Sequence, residues 1–459
     1  MELSKIIANY VKVTSYDRLP EEVVDFTKQC ILDYFGSAIA GSEEEPIRII
    51  DAYVSEMGGS QQATLITGGK TSVTQAAFVN GASSHIVELD DIHKASIIHA
   101  ATVVIPAAFA IAEWKHLSGK ALITAIAIGY EVCYRIGEAV TPSHYYYWHN
   151  TATCGNFGAA AAVAKLLDLN EEQIIHALGS AGTQAAGLWE FIEDGAMSKQ
   201  LHPGKAAMNG VISSLLAEKG FTGARKILEG NRGFFNAMSE NYDESLITKG
   251  LGEQFKIMEN GFKIHASCRH THHAMDLMIN LKKKKAIEVE SIQKVVVKTY
   301  QVALNITDNN NPITEYAAKF SIQFCTALAL VKGEGGLNAF NEKTLWDQNV
   351  RSVMEKVEVQ VDPTIDKNYP EKWGAIIEVI LKTGEKITME TDFPKGDPEN
   401  PVTRENLIAK FLELSKGLPT VESESIVNLV MTLETRESVD DIMKFFQEMP
   451  LLEKSNYLS

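Results

Sequence analysis

Up to about residue 255, apolar positions recur close to every 3.6 residues, in segments joined by short polar loops. LPEEVVDFTKQCILDYFGSAIAG opens on Pro20 and two glutamates, keeps the helical period and stops at glycine, as a helix start and stop require. VTQAAFVNGASSHIVEL, ATVVIPAAFAIAEW, GKALITAIAIGYEVCYRIGEAV and TATCGNFGAAAAVAKLLDL follow, rich in alanine and apolar over most of their circumference. Such helices belong at the centre of a large bundle or at a subunit interface. EEQIIHALGSAGTQAAGLWEF and HPGKAAMNGVISSLLAEKG continue the pattern.

The period changes after about residue 285. SIQKVVVKTYQVAL and VRSVMEKVEVQVDP alternate and carry β-branched residues, and WGAIIEVILKTGEKITMETDF reads as two strands joined at Thr383-Gly384. TEYAAKFSIQFCTALALVKG between them reads as a helix. LKKKK at 281–285 suits a solvated helix C-terminus, where cations meet the dipole. Residues 260–394 are therefore expected to form an α+β unit. PKGDPENPVT punctuates the chain, and RENLIAKFLELSKGL and SVDDIMKFFQEM return to helix. Some sixty residues make a thin core, so this tail is expected to rejoin the first helices. The fold class expected is mainly α with α+β. A large all-helical domain takes 1–259 and 395–459, and a smaller α+β domain takes 260–394.

Composition narrows the function classes. The chain has 459 residues, 45% apolar and 22% charged, with a net charge of −16 and a pI near 5.3. That is a foldable globular balance, and it argues against a nucleic-acid partner, which needs a basic face. Cys30, Cys133, Cys154, Cys268 and Cys325 are widely spaced, with no CxxC, so neither a disulfide framework nor an iron–sulfur cluster is expected. The N-terminus lacks the basic-then-apolar order of a signal peptide, and the apolar runs are too short to span a bilayer. The expectation is a cytoplasmic protein with no membrane partner.

The histidines carry the strongest signal. All twelve lie between His85 and His273, most of them in four polar clusters. SSHIVELDDIHKASIIH brings His85, Glu88, Asp90, Asp91, His93, Lys94 and His99 into one connection between two apolar helices. Acids and imidazoles so placed move protons or bind metal; the alternative is a loop with helix caps. SHYYYWHNTATCGNFG sets His144 and His149 before a helix that Thr151 or Thr153 is expected to cap. In GAMSKQLHPGKAAMNG, Lys199, His202 and Lys205 stand at a helix start, suited to a carboxylate or phosphate, without the P-loop spacing of a nucleotide site. KIHASCRHTHHAMD (263–276) is open to three readings: a zinc site from Cys268, His270 and His272, an anion pocket, or a polar helix start capped by Thr271. No HExxH or CxxC spacing supports zinc, and Lys263 and Arg269 suit carboxylates better than a dication, so the anion pocket is favoured and no metal is expected.

At these residues the chain resembles the MmgE/PrpD family of 2-methylcitrate dehydratases, cis-aconitate decarboxylases and iminodisuccinate epimerases. GASSHIVELDDIHKASIIH resembles its H…(D/E)xDD…H segment, and SKQLHPGKAAMNG its Lys-x-x-His-x-Gly-x-Ala-Ala element. FKIHASCRHTHHAMD is similar to its Lys…His/Cys-rich helix start, and PKGDPENPVT to its Pro-x-Gly-Asp-Pro-x-Asn-Pro segment. The resemblance implies a helical domain built from both chain ends, an inserted α+β lid, a homodimer, an active site between the domains, and no metal or other cofactor. Asp90, Asp91, His99, His149, Lys199, His202, Lys263 and His272 fall on family positions. Cys268 stands where a decarboxylase has histidine, and the Asp91-to-His99 spacing is about one residue longer than in that branch.

The chemistry implied is removal of a proton beside a carboxylate of a small di- or tricarboxylate. His99 and His149 are candidate acid–base residues, with Asp90 or Asp91 orienting an imidazole and Lys199 offsetting enediolate charge. His202, Lys263, Cys268, Arg269 and His272 are candidate substrate-binding residues. The reading is a cofactor-independent lyase of the 2-methylcitrate dehydratase type. Behind it stand an epimerase of an aspartate-like dicarboxylate, a cis-aconitate decarboxylase and a non-catalytic acid binder.

Overall fold

The computed structural model describes residues 2–285 and 287–447. The fold is mainly α with a smaller α+β part. The chain divides into two compact units. One comprises Met1–Ile86, Asp90–Asn260 and Thr403–Ser459; the other comprises Val87–Leu89 and Gly261–Val402.

The first unit is a bundle around five long helices: Glu21–Gly41, Val73–Ile86, Ala101–Trp114, Gly119–Val140 and Asn150–Leu166. Glu171–Gly182 and Leu201–Glu218 pack on Asn150–Leu166. The apolar residues of Ala101–Trp114 are buried from Ala101 to Ala112, as a helix apolar all round requires. Small residues let backbones meet. A Cβ on Gly204 would lie 2.5 Å from the Phe78 carbonyl oxygen, and one on Gly81 would lie 2.9 Å from the Thr102 carbonyl oxygen. Gly129 and Gly158 face each other in the same way across Gly119–Val140 and Asn150–Leu166.

The C-terminal helices Arg404–Leu414, Thr420–Met431 and Asp440–Gln447 belong to this unit. Lys410 pairs with buried Asp33 at 2.6 Å, and Lys28 with Glu434 at 3.1 Å. Several elements fall outside the segments that the sequence picks out, the helix Glu45–Met57 among them. Leu3–Val13 is an amphipathic helix where no element was expected. A two-residue ribbon, β1 (Ala63–Thr64) with β2 (Lys70–Thr71), turns through Gly68 and Gly69, both at positive φ.

The second unit holds a four-stranded sheet in the order β4 (Val357–Val361), β3 (Ile292–Thr299), β5 (Ala375–Leu381), β6 (Lys386–Thr391). β3 and β4 run parallel, and the other pairs are antiparallel. The β5–β6 hairpin turns through Gly384 at φ 85°, where its absent side chain removes the steric cost. Along β5, Ala375, Ile377, Val379 and Leu381 are buried in strict alternation, while β6, one of the two edge strands, is half exposed and holds Lys386 and Glu390. Helices Ile322–Lys332 and Arg269–Lys284 pack together, and the latter also lies on β5 and β6. Among the described residues no helix is long and apolar enough to cross a membrane.

Gly204→Ala drives a methyl group into the Phe78 backbone. Overpacking of this kind costs about 1–3 kcal/mol. A lowered urea midpoint is therefore expected, and an unchanged one would show that the two helices can part without loss.

Candidate active site

In the first unit, the predicted site residues gather around Asp90. His85 ends helix Val73–Ile86, Glu88 then adopts a left-handed conformation (φ 59°), and the turn delivers Asp90 and Asp91 side by side. Asp90 Oδ2 accepts from His85 Nδ1 at 2.7 Å and lies 3.2 Å from His99 Nδ1. His99 Nδ1 also lies 2.6 Å from the Asp91 carbonyl oxygen. A carbonyl only accepts, so Nδ1 carries the proton, and the lone pair of the neutral ring is on Nε2. The His99 backbone N–H donates to Thr151 Oγ1 at 3.1 Å.

His149 and His202 form the other half of the cluster. His149 is the N-cap of Asn150–Leu166, and its N–H donates to the Gly187 carbonyl at 2.9 Å. His202 lies in the first turn of Leu201–Glu218. Their Nδ1 atoms are 3.0 Å apart, so one must donate to the other. The His85 ring lies 5.0 Å from that of His99 and 5.6 Å, stacked, from that of His149. Lys199, buried in the 3₁₀ turn Met197–Gln200, acts electrostatically on both His149 and His202. The structure thus brings His85, Asp90, His99, His149, Lys199 and His202 together; Lys205 is exposed.

The adjacent carboxyls diverge. Burial pushes Asp90 up, but His85 and His99 outweigh it and hold the group well below the usual carboxylate range. Burial pushes Asp91 up to about 7, with Asp33 and Asp90 adding repulsion. It does so although Asp91 accepts from Tyr130 Oη at 2.7 Å, Asn260 Nδ2 at 2.8 Å and Ala101 N at 3.1 Å. Burial, reinforced by His202, His85 and Lys199, takes His149 well below the usual imidazole range, and burial with His85 and Lys199 takes His202 to about 4. The cluster therefore sets an anionic Asp90 beside a His149–His202 pair that burial drives toward neutrality. Both aspartates orient His99, Asp90 through its side chain and Asp91 through its backbone.

In the second unit, Lys263 is fully buried with Nζ 3.2 Å from Glu88 Oε2. Helix Arg269–Lys284 starts one turn earlier than Thr271 capping implied. Cys268 is its N-cap, without a side-chain cap, while the Thr271 hydroxyl is spent on the Cys268 carbonyl and Ser267. Arg269 pairs with Asp397 and donates to the Lys395 carbonyl at 3.1 Å and to His272 Nδ1 at 2.9 Å. Since guanidinium only donates, His272 Nδ1 accepts and its Nε2 donates to the Ser267 carbonyl at 3.2 Å. Burial and the Arg269 charge hold His272 well below the usual range. His270 instead bonds Tyr300 Oη at 2.7 Å and stacks on Trp373. Likewise, neither Thr151 nor Thr153 caps Asn150–Leu166; Thr153 bonds His144 at 2.8 Å.

Two groups among the described residues are tight enough to share a metal ion: His85–Asp90–His99 and His93–Glu138–Glu259. Cys268, His270 and His272 do not form one. In the first group both imidazoles turn N–H donors, not lone pairs, toward Asp90. In the second, Lys256 Nζ lies 2.9 Å from Glu138 and 3.0 Å from Glu259 and fills the cation's place. In both groups the facing atoms are thus engaged within the protein. His85 is visible in the first histidine cluster of the sequence, but its part in the site depends on where its helix ends.

Residues 5–246 match the MmgE/PrpD N-terminal domain and residues 265–435 the MmgE/PrpD C-terminal domain. The chain belongs to the MmgE/PrpD family. It is 27% identical to a cis-aconitate decarboxylase-like protein of Aspergillus oryzae, over 95% of each chain. It is also 27% identical to the cis-aconitate decarboxylase of Homo sapiens, over 91% of this chain and 89% of that one. A 2-methylcitrate dehydratase of Salmonella typhimurium is 24% identical over 61% of this chain and 57% of its own. This chain is an enzyme of the MmgE/PrpD family.

Asp91 gives this MmgE/PrpD enzyme a pH signature. Its folded carboxyl titrates near 7 against an ordinary 3.8, so its contribution to stability is fully present below about pH 4 and lost as pH rises through 7. Asp91→Asn cannot titrate. Urea unfolding at pH 4.5 and 7.5 is expected to show a smaller fall in stability across that window for D91N than for the wild type. Equal falls would mean that Asp91 is ionised throughout.

Proposed function

We propose that this enzyme is a lyase on a small di- or tricarboxylate that works by proton transfer beside a carboxylate, with its own side chains as the acid and base. The observation that carries the reading is His99, whose Nδ1–H is held by the Asp91 carbonyl while its Nε2 keeps a lone pair. On taking a proton at Nε2, the ring becomes an imidazolium with Asp90 Oδ2 at 3.2 Å, the partner that charge needs. His99 can return at Nε2 the proton it takes there, and the His149–His202 pair, bonded at 3.0 Å, is suited to offering a second N–H donor. Lys199, with His202 beside it, is suited to a substrate carboxylate and to the enediolate charge that develops. Lys263 and Cys268 stay candidate substrate contacts. The bonds that Arg269 and His272 already make favour a supporting part for those two.

The fate of the enediolate sets the product. Loss of β-hydroxide gives the dehydratase of the 2-methylcitrate type, and return of the proton to the opposite face gives an epimer. In a decarboxylase the carbanion arises instead from loss of carbon dioxide, whose bonding pair stays on the allyl carbon and is then protonated there. One observation favours this last reading over its rank in the sequence: the cis-aconitate decarboxylases match along nearly their whole length, the dehydratase along little more than half. Metal independence, a homodimer, a cytoplasmic location and an α+β lid at 260–394 belong to the same proposal.

Proton NMR in D2O with 2-methylcitrate, citrate, cis-aconitate and iminodisuccinate tests it. A vinyl signal from a citrate marks dehydration, itaconate from cis-aconitate marks decarboxylation, and deuterium entering iminodisuccinate without net conversion marks epimerisation. On whichever substrate reacts, His99→Gln and Lys199→Met are expected to lower kcat by about 10²-fold or more. If none of the four reacts or exchanges, the proposal fails.

A further inference from the structure

Asp90 Oδ2 is asked to serve two imidazoles. His85 Nδ1 approaches it to 2.7 Å and His99 Nδ1 to 3.2 Å, while Oδ1 of the same carboxylate has no hydrogen-bond partner among the described residues. The two donors compete for one oxygen, and His85 holds the shorter bond. His85 is also the more rigidly placed. It sits in the last turn of a helix anchored at Gly81 against the Thr102 carbonyl and by Ser84 Oγ on Thr102 Oγ1 at 2.7 Å. Its side chain is fully buried and stacked on His149, which sets it back from the cluster's exposed side, where His202 is only half buried.

We propose that His85 is a positioning residue: by occupying Asp90 Oδ2 it keeps that carboxylate from pairing fully with His99, and so preserves His99 as a free base at its Nε2. A carboxylate paired fully with one imidazole would favour its protonated form and spend the base before substrate arrives. With His85 sharing the oxygen, Asp90 still stabilises the imidazolium, but by less than an unshared carboxylate would. The charged and titratable groups facing His85 are Asp90, His99, His149 and His202, from the turn after its own helix and from three further segments. Lys199 acts electrostatically on the two last named.

The kinetic arm of the test rests on the proton-transfer reading above; the spectroscopic arm does not. His85→Phe keeps the ring and its stacking but removes the donor. His85→Asn keeps an N–H donor where Nδ1 stood. In H85F the acidic limb of the kcat/KM profile is expected to move up by about 0.5–1 pH unit, a loss of about 3–10-fold confined to pH values on that limb, with H85N restoring the wild-type limb. The low-field Nδ1–H resonance of His99, assigned by its disappearance in H99Q, is expected to move downfield in H85F as the Asp90 bond shortens, and to return in H85N. Should H85F not fold by circular dichroism, H85Q takes its place, since its amide reaches beyond the Nδ1 position. A uniform loss of kcat with an unmoved limb and an unmoved resonance would make His85 a packing residue and overturn the proposal, as would an H85N that behaves like H85F. If no substrate turns over, the resonance alone decides.

Discussion

Four histidines meet in the first unit because helix backbones approach one another without side chains between them. Gly81 faces both the Thr102 carbonyl and Gly204, and Gly204 faces the Phe78 carbonyl. These contacts join Val73–Ile86, Ala101–Trp114 and Leu201–Glu218, which carry His85, follow His99 and carry His202. A larger residue at either glycine would part the helices and stretch bonds that are now between 2.7 and 3.2 Å. The same closeness removes water, and the loss of water keeps His149 and His202 neutral. Packing and electrostatics are thus one constraint here.

Asp90 and Asp91 show how little sequence position says about charge. Asp90 faces two imidazoles and stays ionised. Asp91 faces a phenol, an amide and a backbone N–H, with Asp33 nearby, and is driven toward its neutral form. The two neighbouring aspartates divide the work: Asp90 supplies a negative charge through its carboxylate, Asp91 a fixed main-chain carbonyl that selects the His99 tautomer.

Much of the architecture is legible in the pattern of apolar positions. The long helices show as extended apolar segments, Glu21–Gly41 closing on its glycine, and the β5–β6 hairpin turns at the Gly384 that its alternation predicts. Leu3–Val13 is harder to see although Leu3, Ile7, Tyr10 and Val11 mark its buried face, because a stretch that short at a chain end also has to be weighed as a targeting segment. Capping by residue type fails twice. Thr151 and Thr271 are good caps in composition, yet each hydroxyl serves another partner, the His99 N–H in one case and the Cys268 carbonyl in the other. The histidine clusters are legible as clusters. Which partner each ring takes is not, since it depends on residues such as Thr151, 52 positions from His99, and Asn260, 169 from Asp91. Local spacing carries no information at that range.

The bond between His99 Nδ1 and the Asp91 carbonyl has a geometric corollary. A ring anchored at one nitrogen has a single doorway through which hydrogen can enter or leave. Its backbone is tied at Thr151, so the doorway has a fixed bearing in the bundle. Any molecule seated before it meets the base from one flank only, and a prochiral carbon treated that way gives a product of one hand. Chirality in the product would then trace back to a main-chain oxygen, an atom that no substitution of the Asp91 side chain removes.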